Sequence, residues 1–109
     1  MSMENVTYSV AQNGAEIIPG FEGKAIRAVL IVVTSWANVK VTLLSDAGGD
    51  AERPLTAPLF LGGGQPLLLR LGRRHALLSD AGKSLGVTTV YESTVAPLTV
   101  TIWFERVPA

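Results

Sequence analysis

Turn-forming residues recur so often along this chain that a set of long helices has no room between them. Asn13-Gly14, Pro19-Gly20, Gly23, Asp46-Ala47-Gly48-Gly49, Gly62-Gly63-Gly64, Gly72, Asp80-Ala81-Gly82 and Ala96-Pro97 punctuate the sequence. Gly, Pro, Asn and Asp mark turns because they supply the backbone angles that turns require. The segments between them are rich in Val, Thr, Ile and Leu, and several alternate with period two, the pattern of a half-buried strand. Leu98, Val100, Ile102 and Phe104 fall on one side of the last segment, with Thr99, Thr101, Trp103 and Glu105 on the other. Val39, Val41 and Leu43 alternate with Lys40 and Thr42, and Leu67, Leu69 and Leu71 with Leu68 and Arg70.

Strands are therefore expected at roughly residues 5–11, 15–18, 24–34, 38–45, 57–61, 66–71, 75–78, 85–92 and 97–107. Eight or nine short strands with frequent turns predict an all-β fold, an antiparallel β-sandwich of jelly-roll type. The 109 residues are the length of one domain, and a chain of this size buries roughly 65% of its unfolded surface. No linker, charge run or low-complexity stretch divides it, so one domain over 1–109 is expected, with residues 1–16 either an N-terminal arm or an edge strand. Leu43–Gly48 and Leu77–Gly82 both read LLSDAG, but their flanks do not align. Two strand ends entering similar Asp/Gly turns account for the repeat.

Within residues 24–34 the alternation breaks down. Ala28, Val29, Leu30, Ile31, Val32 and Val33 are apolar on both parities, which calls for a covered outer face where an antiparallel sheet normally meets water. Val29, Ile31 and Val33 are the expected oligomer interface, each contributing about 1.5–3 kcal/mol if buried between subunits. Trp103 joins them, because Phe104 already takes the inward position beside it. Composition agrees: 48% of residues are hydrophobic and 17% charged, against about 25% charged in ordinary soluble domains.

Nine basic residues balance nine acidic ones, so no bulk field draws the chain to nucleic acid or to an anionic membrane, and neither is expected as a partner. The absence of cysteine excludes disulfides, thiolate metal sites and cysteine nucleophiles. MSMENVTYSV has neither a basic start nor an apolar run of signal-peptide length, and the longest apolar stretch, 28–33, is too short to span a bilayer. Synthesis in the cytoplasm as a soluble protein is expected. Asn5-Val6-Thr7 fits the glycosylation triplet by chance in that setting.

Candidate chemistry is sparse. Gly82-Lys83-Ser84 lacks the glycine five residues earlier that a phosphate loop needs, Leu77 standing there, and β-branched residues replace the helix that should follow. Gly62-Gly63-Gly64 reads as a loop between strands. Asp46, Asp50 and Glu52 match no calcium-loop spacing and read as solvated turn carboxylates. His75 is the only histidine, so a multi-histidine zinc site is impossible, and no nucleophile motif surrounds it. No catalytic residue, metal or cofactor is expected, and no enzyme. Arg70, Arg73, Arg74 and His75 form the one basic cluster, suited to an acidic partner and equally to a solvated turn. Trp36, in a turn, is a candidate partner contact, because tryptophan is enriched where proteins bind.

In order along the chain, Ile17-Ile18-Pro19, Gly23-Lys24-Ala25-Ile26-Arg27, Val39-Lys40-Val41-Thr42-Leu43, Gly62-Gly63-Gly64, Ala81-Gly82-Lys83-Ser84-Leu85 and Val100-Thr101-Ile102-Trp103-Phe104 resemble a group of small virion proteins of tailed bacteriophages. The resemblance covers residues 17 to 104 and contains no single diagnostic motif. It implies a β-sandwich or jelly roll, a homo-oligomer of trimeric type, and a place on the virion exterior. There the chain would decorate or cement the capsid against the major capsid protein or another virion protein. A carbohydrate or receptor-binding module of a phage fibre, with Trp36, Tyr91 or Trp103 as stacking platform, is the alternative.

Overall fold

The computed structural model describes residues 3–10, 15–92, 96 and 98–109. They form ten strands: β1 (Glu4–Val10), β2 (Ala15–Ile18), β3 (Lys24–Ser35), β4 (Val39–Ser45), β5 (Arg53–Pro54), β6 (Leu59–Leu61), β7 (Leu67–Arg70), β8 (Leu77–Leu78), β9 (Leu85–Tyr91) and β10 (Leu98–Pro108). No helix occurs among the described residues. Nine of the strands fall where alternation and turn residues place them. The exception is β5, whose Arg53 and Pro54 are exposed and carry no apolar alternation; it exists only by pairing with Ser45 and Leu44. The expected turn at Asn13-Gly14, and Pro97 of the turn at Ala96-Pro97, lie outside the described residues.

Two antiparallel sheets pack face to face. Sheet A runs β1-β10-β3-β7, with β8 pairing further along β3, and sheet B runs β2-β9-β4-β5, with β6 further along β4. Taking each pair of short collinear strands as one, every sheet has four positions, and the chain crosses repeatedly from one sheet to the other. This order is that of a jelly roll. Residues 4–10 belong to it as the edge strand β1, in continuous register with β10 from Glu4↔Phe104 to Val10↔Leu98.

Side chains of one parity fill the space between the sheets, as a period-two pleat requires. Ile26, Ala28, Ile31 and Val33 of β3 meet Leu98, Val100, Ile102 and Phe104 of β10 and, from sheet B, Ile18, Val39, Val41, Leu43, Leu85 and Val87. Inward residues of β3 have even numbers up to Ala28 and odd numbers from Ile31. The register explains the change: Trp103 pairs with Leu30 and Phe104 with Ala28, leaving Val29 as the extra residue of a β-bulge. The bulged carbonyl of Val29 accepts the N–H groups of Leu71 and Gly72 at 2.9 and 3.1 Å.

This bulge corrects the expected oligomer face. Ile31 and Val33 have no solvent exposure and belong to the core, Val29 is half-buried at the bulge, and the apolar residues of β3 that point outward beyond it are Leu30 and Val32. A strand apolar on both parities here has one side in the core and the other on the outer face of the sheet. The covered and open sides were exchanged because strict alternation cannot register an inserted residue.

The turns at one end are tied together by hydrogen bonds. Ser45 Oγ accepts the Asp80 N–H at 2.9 Å, the Asp46 N–H donates to the Ser84 carbonyl at 3.0 Å, and Ser79 Oγ accepts the Ile26 N–H at 2.9 Å. The two LLSDAG segments thus end side by side, each serving as a strand end and turn.

Candidate functional site

Outside the core, the outer face of sheet A carries an apolar strip built by register. Asn5, Trp103, Leu30 and Arg70 form one cross-strand row, and Thr7, Thr101, Val32 and Leu68 the next. Leu30, Val32 and Trp103 are half-buried by one another, while Leu68 and Leu78 are about half exposed. Of the expected interface residues, Trp103 therefore stands on an outer apolar face, but its partners there are Leu30, Val32 and Leu68.

Beside this strip lies a carboxylate that sequence reasoning missed. Glu105 is on the outward parity of β10, yet its side chain is only 2% exposed. Its register partner Arg27 donates from Nη2 to Oε2 at 2.8 Å, and Arg73, reaching back from the turn after β7, donates from Nε to Oε1 at 2.5 Å. Hydrogen bonding from Arg27, with Arg73 adding to it, holds the Glu105 carboxyl below its usual pKa, although burial pushes the other way. Arg73, although its side chain is 62% exposed, is thereby tied to a partner within the chain. Arg70, Arg74 and His75, the rest of the basic cluster, are exposed.

The outer face of sheet B carries a second apolar patch. Phe60, Lys40 and Val90 align across β6, β4 and β9, with Phe60 62% and Val90 64% exposed. They border an open groove of about 350 Å³ completed by Val39, Tyr91 and Glu92. Lys40 makes no ion pair among the described residues. Tyr91 is no open platform: its hydroxyl donates to the Ala96 carbonyl at 2.6 Å, and burial raises its pKa. Phe60 is legible in the sequence only as a member of the apolar run Leu59-Phe60-Leu61, and Val90 only as an apolar residue after Thr88 and Thr89.

Trp36 protrudes from the β3–β4 turn and is 86% exposed. Beneath it a groove of about 250 Å³ is lined by Thr34, Ser35, Gly64, Pro66 and Thr99. The acidic loop after β4 satisfies its own backbone: Asp46 Oδ2 accepts the Ala51 N–H at 2.9 Å and Glu52 Oε1 the Gly48 N–H at 2.8 Å. Among the described residues no three His, Cys, Asp or Glu side chains are grouped to hold a metal ion, and no helix is long and apolar enough to cross a membrane.

These features define a jelly-roll β-sandwich with apolar patches on both outer faces and an exposed indole at one end. No protein-family model matches the chain, and no curated protein matches it.

Proposed function

We propose that this chain is a non-enzymatic virion structural protein that assembles with copies of itself and decorates a bacteriophage capsid, stabilising the shell by bridging neighbouring subunits. The observation carrying this reading is that both outer faces of the sandwich carry large apolar side chains, Trp103, Leu30, Val32 and Leu68 on sheet A and Phe60 and Val90, flanking Lys40, on sheet B. One face left uncovered would serve a simple dimer, whereas bridging needs two. Isolated surface hydrophobes are ordinary; contiguous ones mark interaction sites.

The faces suit different partners. Sheet A presents the longer set of adjacent apolar side chains, Trp103, Leu30, Val32 and Leu68, with Arg70 at its edge, and so fits another copy of itself. Sheet B sets Lys40 between Phe60 and Val90 with Glu92 beside the same groove, a face mixing charge with apolar side chains that we assign to the shell. Binding only the assembled shell shifts the equilibrium toward it by mass action, and a symmetric oligomer multiplies modest contacts. The resemblance to small phage virion proteins supplies the identity of that shell.

The test adds purified chain to empty mature shells and follows their disruption temperature, with light scattering for oligomeric state. Leu68→Glu is expected to give monomers, and Phe60→Glu to keep the oligomer but lose the shell. Shells that ignore the wild-type protein, or bind it with no gain in stability, would refute the cement role.

A further inference from the structure

The groove under Trp36 is an assembled site with no function yet in the reading above; its row of Thr34 and Thr99 continues the outer face of sheet A one row beyond Val32 and Thr101. An indole that is mostly exposed in a folded chain is either on a loose loop or held out for a ligand, and here the loop is held. Ser35 Oγ accepts the Ala37 N–H at 3.1 Å. Opposite, the Gly64 N–H donates to the Ser35 carbonyl at 2.7 Å and the Gly63 N–H to Asn38 Oδ1 at 2.8 Å. Gly63 lies so close that a Cβ there would stand 2.4 Å from the Trp36 carbonyl oxygen. The glycine run thus clamps the Trp36 turn, and rigidity before binding lowers the ordering cost of taking a ligand.

The groove's chemistry narrows the ligand. Among the described residues no titratable side chain lines it. Its floor carries two hydroxyls set side by side by strand register, Thr99 of β10 and Thr34 of β3. No hydrogen bond engages the Thr34 or Thr99 hydroxyl among the described residues, so each can both donate and accept. An aromatic face beside uncharged, two-way hydrogen-bonding groups fits a molecule with an apolar ring face and many hydroxyls. Its volume of about 250 Å³ is below the roughly 300–1,000 Å³ of sites for drug-sized ligands, enough for a single ring with the rest of a chain passing along the open side.

We infer that Trp36, Thr34 and Thr99 form a binding site for a neutral saccharide, one sugar ring stacking on the indole while its hydroxyls bond to the two threonines. Charged sugars gain nothing from a lining without a counter-charge.

The experiment screens the full-length chain on an array of neutral and acidic glycans and titrates the best neutral glycan by NMR, reading the Trp36 indole N–H. Binding of a neutral glycan is expected, with at least a tenfold loss in Trp36→Ala, a smaller loss in Thr34→Val and Thr99→Val, and none in Asp50→Asn. Because Trp36 is exposed, Trp36→Ala should melt with wild-type protein, and the threonine variants give a second reading if it does not. The inference is overturned if no neutral glycan binds at millimolar concentration, if only acidic glycans bind, or if binding survives Trp36→Ala. Loss of shell binding in Trp36→Ala without any glycan binding would overturn it too, and would assign the indole to a protein contact.

Discussion

Glu105 of β10 faces Arg27 of β3 across the sheet, and the guanidinium donates to its carboxylate at 2.8 Å while Arg73 closes over the other oxygen. Removing one partner of a buried ion pair leaves an uncompensated charge, so the cluster constrains the surface around it. Because the folded state holds the Glu105 pKa below the ordinary 4.5, its stabilisation is complete above that value and is lost as pH falls through the lower, folded pKa. Asp80, held low mainly by Arg53, has the same sign. Urea unfolding at about pH 6 and pH 3 should show a steeper acid loss in wild type than in Glu105→Gln. Equal losses in both would contradict the linkage.

The bulge at Val29 makes neighbouring residues of β3 energetically unlike. Ile31→Ala should cost about 2–5 kcal/mol, as loss of a fully buried side chain does, whereas Val32→Thr, on the outer face, should change monomer stability by about 0.5 kcal/mol or less. Denaturant midpoints of the two variants check this; a reversed order would mean that the register is wrong.

Gly63→Ala should destabilise by about 1–3 kcal/mol, because overpacking against backbone cannot be relieved by a side-chain rotation. Thermal unfolding measures it. An unchanged midpoint would show that the clamp on the Trp36 turn gives way freely.

Ser45→Ala removes the acceptor for the Asp80 N–H in a side chain with no solvent exposure. A loss of about 1–3 kcal/mol is expected for a donor left without its partner. Hydrogen exchange at the Asp80 amide should accelerate in parallel, and an amide that stays protected would point to a different acceptor.

Much of the fold was legible in short-range pattern. Val39, Val41 and Leu43, and Leu98 to Phe104, announce their inward sides because alternation is a local property and β4 and β10 keep it. What escaped depends on which strands lie side by side. Glu105 looked like an ordinary outward carboxylate until Arg27, 78 positions away, became its neighbour. Ile31 and Val33 fall on the opposite side from the expected interface for a related reason: the bulge at Val29 exists only relative to β10. An apolar outer face was expected only for the strand at 24–34, while the residues composing the outer faces, Leu30, Val32 and Leu68 on one side and Phe60 and Val90 on the other, follow from register. Trp36 was the exception, since a tryptophan in a turn is conspicuous without any partner.

The pairing of β1 with β10 also sets a timetable. Thr7 and Thr101 share a hydrogen bond across 94 positions of sequence, and β10 lies between β1 and β3 in sheet A. A growing chain on the ribosome therefore holds β1 and one side of β3 without their neighbour until β10 has been released. Sheets closed by such distant segments form slowly, and their unpaired edges are open to misassembly in the interval. Production of this chain should be limited by that waiting period, and cooler, slower expression should raise the yield of folded protein.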